Sequence, residues 1–325
     1  VIGRGAALNA TGMSYSTFIG YFSGGGGVVT GASNTCLGAA TGYNLTGGYS
    51  NVLIGRDAGS LLTDNNRNIC IGVATLDAAN TGEHDNVAIG DNALSSETSG
   101  ADGCIAIGTQ ALEDQNVVNA ANTAIGYNAA LNLTNGKENV FLGYQACGSG
   151  TVTGSDNVVL GKDAGLNMTS AASNVIIGRK CVGAGVATGT GNVITGYQSA
   201  LNLTSGKENV IIGLNACGLG VLANASSTQG MYNVVVGPGA GYDLTSGQKN
   251  VLLGKDAGGN LTDNHNNVAI GHAALDAATG GEHYNIAIGS NTLSAENSGA
   301  DHCIAIGEDA LKLQNADVIN MAIGG

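Results

Sequence analysis

One short phrase recurs along this chain at a nearly fixed interval, and it narrows the fold more than any other feature. Asn51-Val-Leu-Ile-Gly55, Asn86-Val-Ala-Ile-Gly90, Asn139-Val-Phe-Leu-Gly143, Asn174-Val-Ile-Ile-Gly178 and Asn267-Val-Ala-Ile-Gly271 are clear copies. The closing glycines fall at 3, 20, 38, 55, 72, 90, 108, 126, 143, 161, 178, 196, 213, 237, 254, 271, 289, 307 and 324. Each step is 17 or 18 residues except one of 24, between Gly213 and Gly237. Such self-similarity marks a repeat architecture in which each copy stacks on the next. The copies fill residues 1–325 as one continuous repeat rod of about nineteen rungs and leave no room for a separate globular domain.

Each copy reads as a short strand, a turn, a second shorter segment and a loop back. Val and Ile suit a pleated surface. In Asn-Val-Ala-Ile-Gly the Val and Ile share one face and the Ala points to the other. Leu53, Phe141, Ile176, Ile211 and Leu252 make the second face apolar too. One face closes the coil's own core, and the other requires a cover. The fold class is therefore all-β, a parallel β-roll or β-solenoid of 17–18-residue rungs. At about 4.8 Å per rung such a rod is on the order of 90 Å long. Burial of one Val and one Ile per rung is expected to contribute roughly 3–6 kcal/mol before entropy costs.

Fixed columns surround the strand. The opening Asn is kept in fifteen of eighteen visible copies, with Ser16, Cys104 and Cys303 as the exceptions. Stacked in register, Asn51, Asn86, Asn139, Asn174 and Asn267 are expected to form a structural amide ladder. Gly55, Gly90, Gly143, Gly178 and Gly271 are expected at a backbone bend closing each strand. Three residues after each glycine stands a small residue, most often Ala, as at Ala58, Ala93 and Ala129. A column this restricted implies tight packing.

Composition excludes several functions. Glycine is 55 of 325 residues, but the 43% apolar content and strict period argue for order rather than a disordered chain. Net charge is −13 with no basic stripe, which gives nucleic acid no electrostatic footprint. No apolar run is long enough to span a bilayer as a helix, so no membrane insertion is expected. The chain opens and closes inside a repeat, so it is expected to be a piece of a longer protein, and its lack of targeting signals does not bear on location. The seven cysteines occupy repeat positions and read as small buried side chains rather than a disulfide framework.

No catalytic or metal constellation emerges. Gly24-Gly-Gly-Gly27 is not followed by the Lys-Ser/Thr of a phosphate loop. His84 and His283 are equivalents in a longer repeat of offset 199 residues, and they read as loop decoration. Thr63-Asp-Asn-Asn66 lacks the pattern of calcium rolls, so no cofactor is expected. Seven Asn-x-Ser/Thr triplets, including Asn132, Asn202 and Asn260, would be glycosylation acceptors in a eukaryotic secretory setting, but most of them follow from the repeat itself. The long step places six extra residues in an insertion near 218–232. Insertions in solenoids become loops on one face, so Leu222, Asn224 and Gln229 are the candidate binding residues.

Copies such as Asn122-Thr-Ala-Ile-Gly126-Tyr-Asn-Ala-Ala-Leu131 resemble the shaft repeats of bacteriophage and large-virus tail fibres, and also the head repeats of trimeric autotransporter adhesins. The resemblance covers nearly the whole chain. It implies a left-handed roll, intertwined as a homotrimer whose axis covers the second strand face. It further implies a virion-surface or extracellular fibre without enzymatic activity. Such a fibre spaces and presents a tip that binds a host-surface receptor or glycan. The alternative is an adhesin head that binds host surface or matrix through its own lateral face, with avidity from repetition. An ice- or polysaccharide-binding solenoid is a further alternative, one that favours flat Thr-x-Thr rows.

Overall fold

Among the described residues the repeat phrase forms eighteen three-residue strands, most of them preceded by a buried Asn and each followed by the glycine bend. The computed structural model describes residues 1–78, 82–96, 100–118, 120–220, 230–276, 282–295, 301–313 and 319–324. It consists of two units, Val1–Asn157 and Val158–Gly325. The first carries strands from Thr17–Ile19 to Val140–Leu142, and the second from Val158–Leu160 to Met321–Ile323. Within each unit, successive strands pair parallel and in register. Val87 lies opposite Ile105 and Ala88 opposite Ala106, while Val193 lies opposite Val210 and Ile194 opposite Ile211. Each unit is thus a parallel β-solenoid, and no helix occurs among the described residues.

The strand's middle residue points into the coil. Phe18, Leu53, Ala88, Phe141, Ile194 and Leu252 are fully buried. The flanking Val and Ile face outward and stay half-exposed, as in the burial patterns of Val87–Ile89 and Ile105–Ile107. The expected burial of one Val and one Ile per rung is therefore not what a single chain achieves. Side chains alternate along a strand, so a three-residue strand with its middle residue inward turns both flanking residues outward.

Volume is balanced across the coil. In four rungs whose inward strand residue is Ala, at Ala88, Ala106, Ala269 and Ala287, a buried Leu stands six positions later, at Leu94, Leu112, Leu275 and Leu293; after Ala124 that place holds Ala130, and Leu133 is buried three residues on. Where it is large, that position shrinks: Phe18 faces Gly24, Leu53 faces Gly59 and Leu252 faces Gly258. A Cβ on Gly24 would lie 2.6 Å from the Phe18 ring, and one on Gly59 would lie 2.6 Å from Leu62 and 3.1 Å from Leu53. Leu62 and Leu261 then supply the missing volume from the far side of the rung. Close packing at constant total volume explains the pattern.

The rest of the rung is a run of turns. Its backbone turns left-handed before the Asn column and again two and four residues after the repeat glycine, as at Asp85, Asn92 and Leu94 with φ of 61°, 55° and 54°. The second segment makes no strand among the described residues; successive rungs are joined there by isolated bridges such as Asn66 with His84 and Leu133 with Val152, and by turn hydrogen bonds such as that from the Leu94 N–H to the Ala111 carbonyl at 3.0 Å.

Candidate interaction surface

The outward residues of the strands form an apolar strip on each unit. Val140 and Leu142 are 38% and 42% exposed, and Ile177 and Ile212 are 39% and 38%. All outward strand positions except Thr17, Thr35, Thr123 and Thr195 are apolar. At about 4.8 Å per strand the strip runs on the order of 40 Å in each unit. Contiguous apolar surface on this scale marks an interaction site. One border is aromatic and basic: Tyr127 stacks on Tyr144 at 5.3 Å, and the Arg179 guanidinium lies 5.6 Å from the Tyr197 ring centre. The other border carries charge, as where Arg67 grips Asp85 through Nε and Nη2 at 2.6 and 2.7 Å and donates to the Tyr49 hydroxyl at 3.0 Å. An apolar centre with an aromatic and polar rim is the anatomy of a protein interface.

Behind the strip the strands are held by side chains as well as by backbone. Asn51 Oδ1 accepts the Asn68 N–H at 3.0 Å, Asn86 Oδ1 accepts that of Cys104 at 2.8 Å, and Asn139 Oδ1 accepts that of Asn157 at 2.9 Å. Asn174 and Asn267 do the same for Asn192 and Asn285, both at 2.9 Å. Each amide also donates through Nδ2 to a carbonyl of its own return loop: Asn51 to Asn65, Asn86 to Ala101, Asn139 to Gly154, Asn174 to Gly189 and Asn267 to Glu282. The column thus clamps each strand's start to the next rung and to its own loop. Cys104 has no amide to continue it, and Gln115 spans the gap by donating to Cys104 Sγ at 3.1 Å and accepting from Asn122 Nδ2 at 3.0 Å.

The repeat glycines have a second reason besides the bend. Gly55, Gly90, Gly143, Gly178 and Gly271 have φ between 128° and 138°, a region closed to side chains. A Cβ on Gly90 would also lie 2.5 Å from the Gly108 carbonyl carbon, and one on Gly55 would lie 2.1 Å from the Gly72 oxygen.

A further ladder lies two residues before the Asn column. There a side-chain acceptor takes the backbone N–H of the preceding rung: Asn66 from Tyr49, His84 from Asn66 and Asp102 from His84, at 2.9, 3.1 and 2.7 Å. In the second unit His265 Nδ1 accepts from Gln248 at 3.2 Å, His283 Nδ1 from His265 at 3.0 Å and Asp301 from His283 at 2.5 Å. The two imidazoles stack with ring centres 5.0 Å apart. Pattern reading misses this ladder because its residues share acceptor chemistry rather than identity.

The remaining candidates take structural places. Asp64 and Asn66 of the Thr63–Asn66 loop accept hydrogen bonds from the neighbouring rung, at Gly47 and Tyr49. Buried Glu83 accepts from Asn65 Nδ2 and from the Gly100 N–H, and burial raises its pKa. All seven cysteines are buried, and burial pushes the thiols of Cys36, Cys181 and Cys217 up to about 12, which makes those three poor nucleophiles. Among the described residues no group of three or more His, Cys, Asp or Glu side chains is placed to hold a metal ion. Leu222, Asn224 and Gln229 of the insertion lie outside the described residues. No family model matches the sequence, and no curated protein matches it.

Proposed function

We propose that this chain is a shaft segment of a homotrimeric fibre, exposed on a virion or cell exterior, that spaces and presents a receptor-binding tip. The observation that carries the reading is the outward strand strip, apolar at nearly every position and uncovered within a single chain. Three copies packed strip to strip around an axis bury it, recovering the Val and Ile burial that one chain forgoes. The repeated glycine and asparagine contacts suit a mechanical role, since each rung holds the next through backbone and side chain alike. The resemblance of Asn122–Leu131 and its copies to tail-fibre shafts and trimeric adhesin heads supports the same reading and adds the left-handed coil. The outward rows carry Val and Ile rather than Thr-x-Thr, which disfavours ice binding. Catalysis and cofactors have no part in this role.

Charge on the strip tests the proposal. Ile89→Lys with Ile107→Lys places two ammonium groups at the expected trimer axis while leaving Ala88 and Ala106 in the coil. Sedimentation is expected to show the wild type as a three-chain species and the double variant as single chains with unchanged strand content. A variant that associates as the wild type does would overturn the proposal.

A further inference from the structure

The second unit has a groove of about 410 Å³ on its turn flank, starting at the border column of the strand strip, where Leu214 and Pro238 stand. That size lies within the range of small-molecule sites, about 300–1,000 Å³. Its floor exists because two rungs carry glycine where others carry side chains. Gly239 takes the place held by Asn128, Gln145, Lys180 and Gln198 in other rungs, and Gly259 the place held by Leu131, Leu166 and Leu201. Carboxylates of the following rungs lie against these glycines. A Cβ on Gly239 would lie 2.4 Å from Asp256 Oδ1, and one on Gly259 would lie 2.4 Å from Asp276 Oδ1. Tyr242 and Pro238 give the groove apolar walls, and Asn215 and Asn260 add amides.

We propose that this groove binds a saccharide, with Asp256 and Asp276 accepting from ring hydroxyls, Asn260 bridging a third, and Tyr242 and Pro238 packing on the ring's C–H face. Carboxylates and amides beside an aromatic side chain match the alternating hydroxyl and C–H surface of a sugar. The Lys255 ammonium is ion-paired with Asp256, so the acidic pair is already partly balanced and does not call for a bound metal. Burial raises the pKa of Asp276, with the charge of Asp256 adding to it, while the Gly259 N–H, His272 and Lys255 act the other way. A smaller groove of about 250 Å³ on the same flank supplies an internal contrast. It is walled by Leu166 and Leu201, and its one carboxylate, Asp163, is paired with Lys162. The groove's carboxylates and the Asn260 amide stand in the turns, beyond the border column of the strip.

The test is ligand-observed NMR and calorimetry on the full chain with glucose, galactose, mannose and N-acetylglucosamine, and with methylammonium as the cation probe. Two variants address the groove independently. Asp276→Asn removes a charged acceptor. Gly259→Ala displaces the Asp276 carboxylate; the nearest atom to its new Cβ outside that side chain is the Asp256 carbonyl oxygen, at 3.4 Å. Binding of at least one sugar is expected, weakened about tenfold or more by each variant with melting temperature unchanged, and untouched by Lys180→Ala in the smaller groove. The proposal is overturned if no sugar binds, if binding survives both variants, or if methylammonium binds and the sugars do not.

Discussion

Asn139 shows how much one side chain does here. Its amide accepts the Asn157 N–H at 2.9 Å and donates to Asn122 Oδ1 and the Gly154 carbonyl, both at 3.1 Å, all in buried surroundings. Asn139→Ala leaves those partners buried without replacements, at a cost of roughly 2–4 kcal/mol. Hydrogen exchange at the Asn157 amide is expected to accelerate accordingly, and unchanged protection would show that the ladder is decorative. His265, in the acceptor ladder two residues before the Asn column, gives a pH dependence. Nδ1 of His265 is committed as an acceptor, and its pKa is lowered, first by burial and next by the charge of His283. The unfolded chain, titrating near pH 6.5, then binds more protons than the folded one in mildly acidic solution. This contribution to stability is complete above about pH 6.5 and is lost as the pH falls toward the lower folded value. His265→Asn keeps an acceptor, as Asn66 does in the same register, and is expected to flatten the fall in melting temperature between about pH 7.5 and pH 5.5. An equal fall in wild type and variant would remove His265 from the account.

At the scale of the rung, the packing rule is complementary volume. Gly59 has φ of 58°, close to the 54° and 51° of Leu94 and Leu112 at equivalent places, so a leucine there meets no new backbone strain. It meets Leu53 and Leu62 instead. Gly59→Leu alone is expected to destabilise by about 1–3 kcal/mol through overpacking, and Leu53→Ala alone by about 2–5 kcal/mol through the cavity it leaves. Together they reproduce the Ala88 and Leu94 pairing and should cost less than their sum by about 1–3 kcal/mol in a double-mutant cycle. Strict additivity would contradict the rule. The sequence shows both halves of this pattern, since the variable strand centre and the recurrent Leu are visible in the repeat. What it does not show is the direction of each strand face. Val-x-Ile is apolar on both sides, and only the backbone shows that a three-residue strand turns its single middle side chain inward. The acceptor ladder was illegible for a different reason: its successive rungs Asn66, His84 and Asp102 carry three different residue types.

For the whole molecule, the period of the glycines was enough to predict a stacked parallel solenoid, because no other use of seventeen or eighteen residues keeps Asn, strand and glycine in constant register. The candidate insertion could not be read in the same way, since six extra residues break that register and carry no repeat of their own. The outward strip connects fold to role. Each unit presents a row of Val and Ile that its own coil does not cover, and in the first unit stacked tyrosines edge it on one side and an Arg67–Asp85 pair on the other. Light scattering of the native chain across a wide range of concentrations tests the resulting claim most directly. The account predicts a concentration-independent mass of three times the 32.0 kDa chain. A stable single-chain mass over the same range would contradict it, and the strip would then need another occupant.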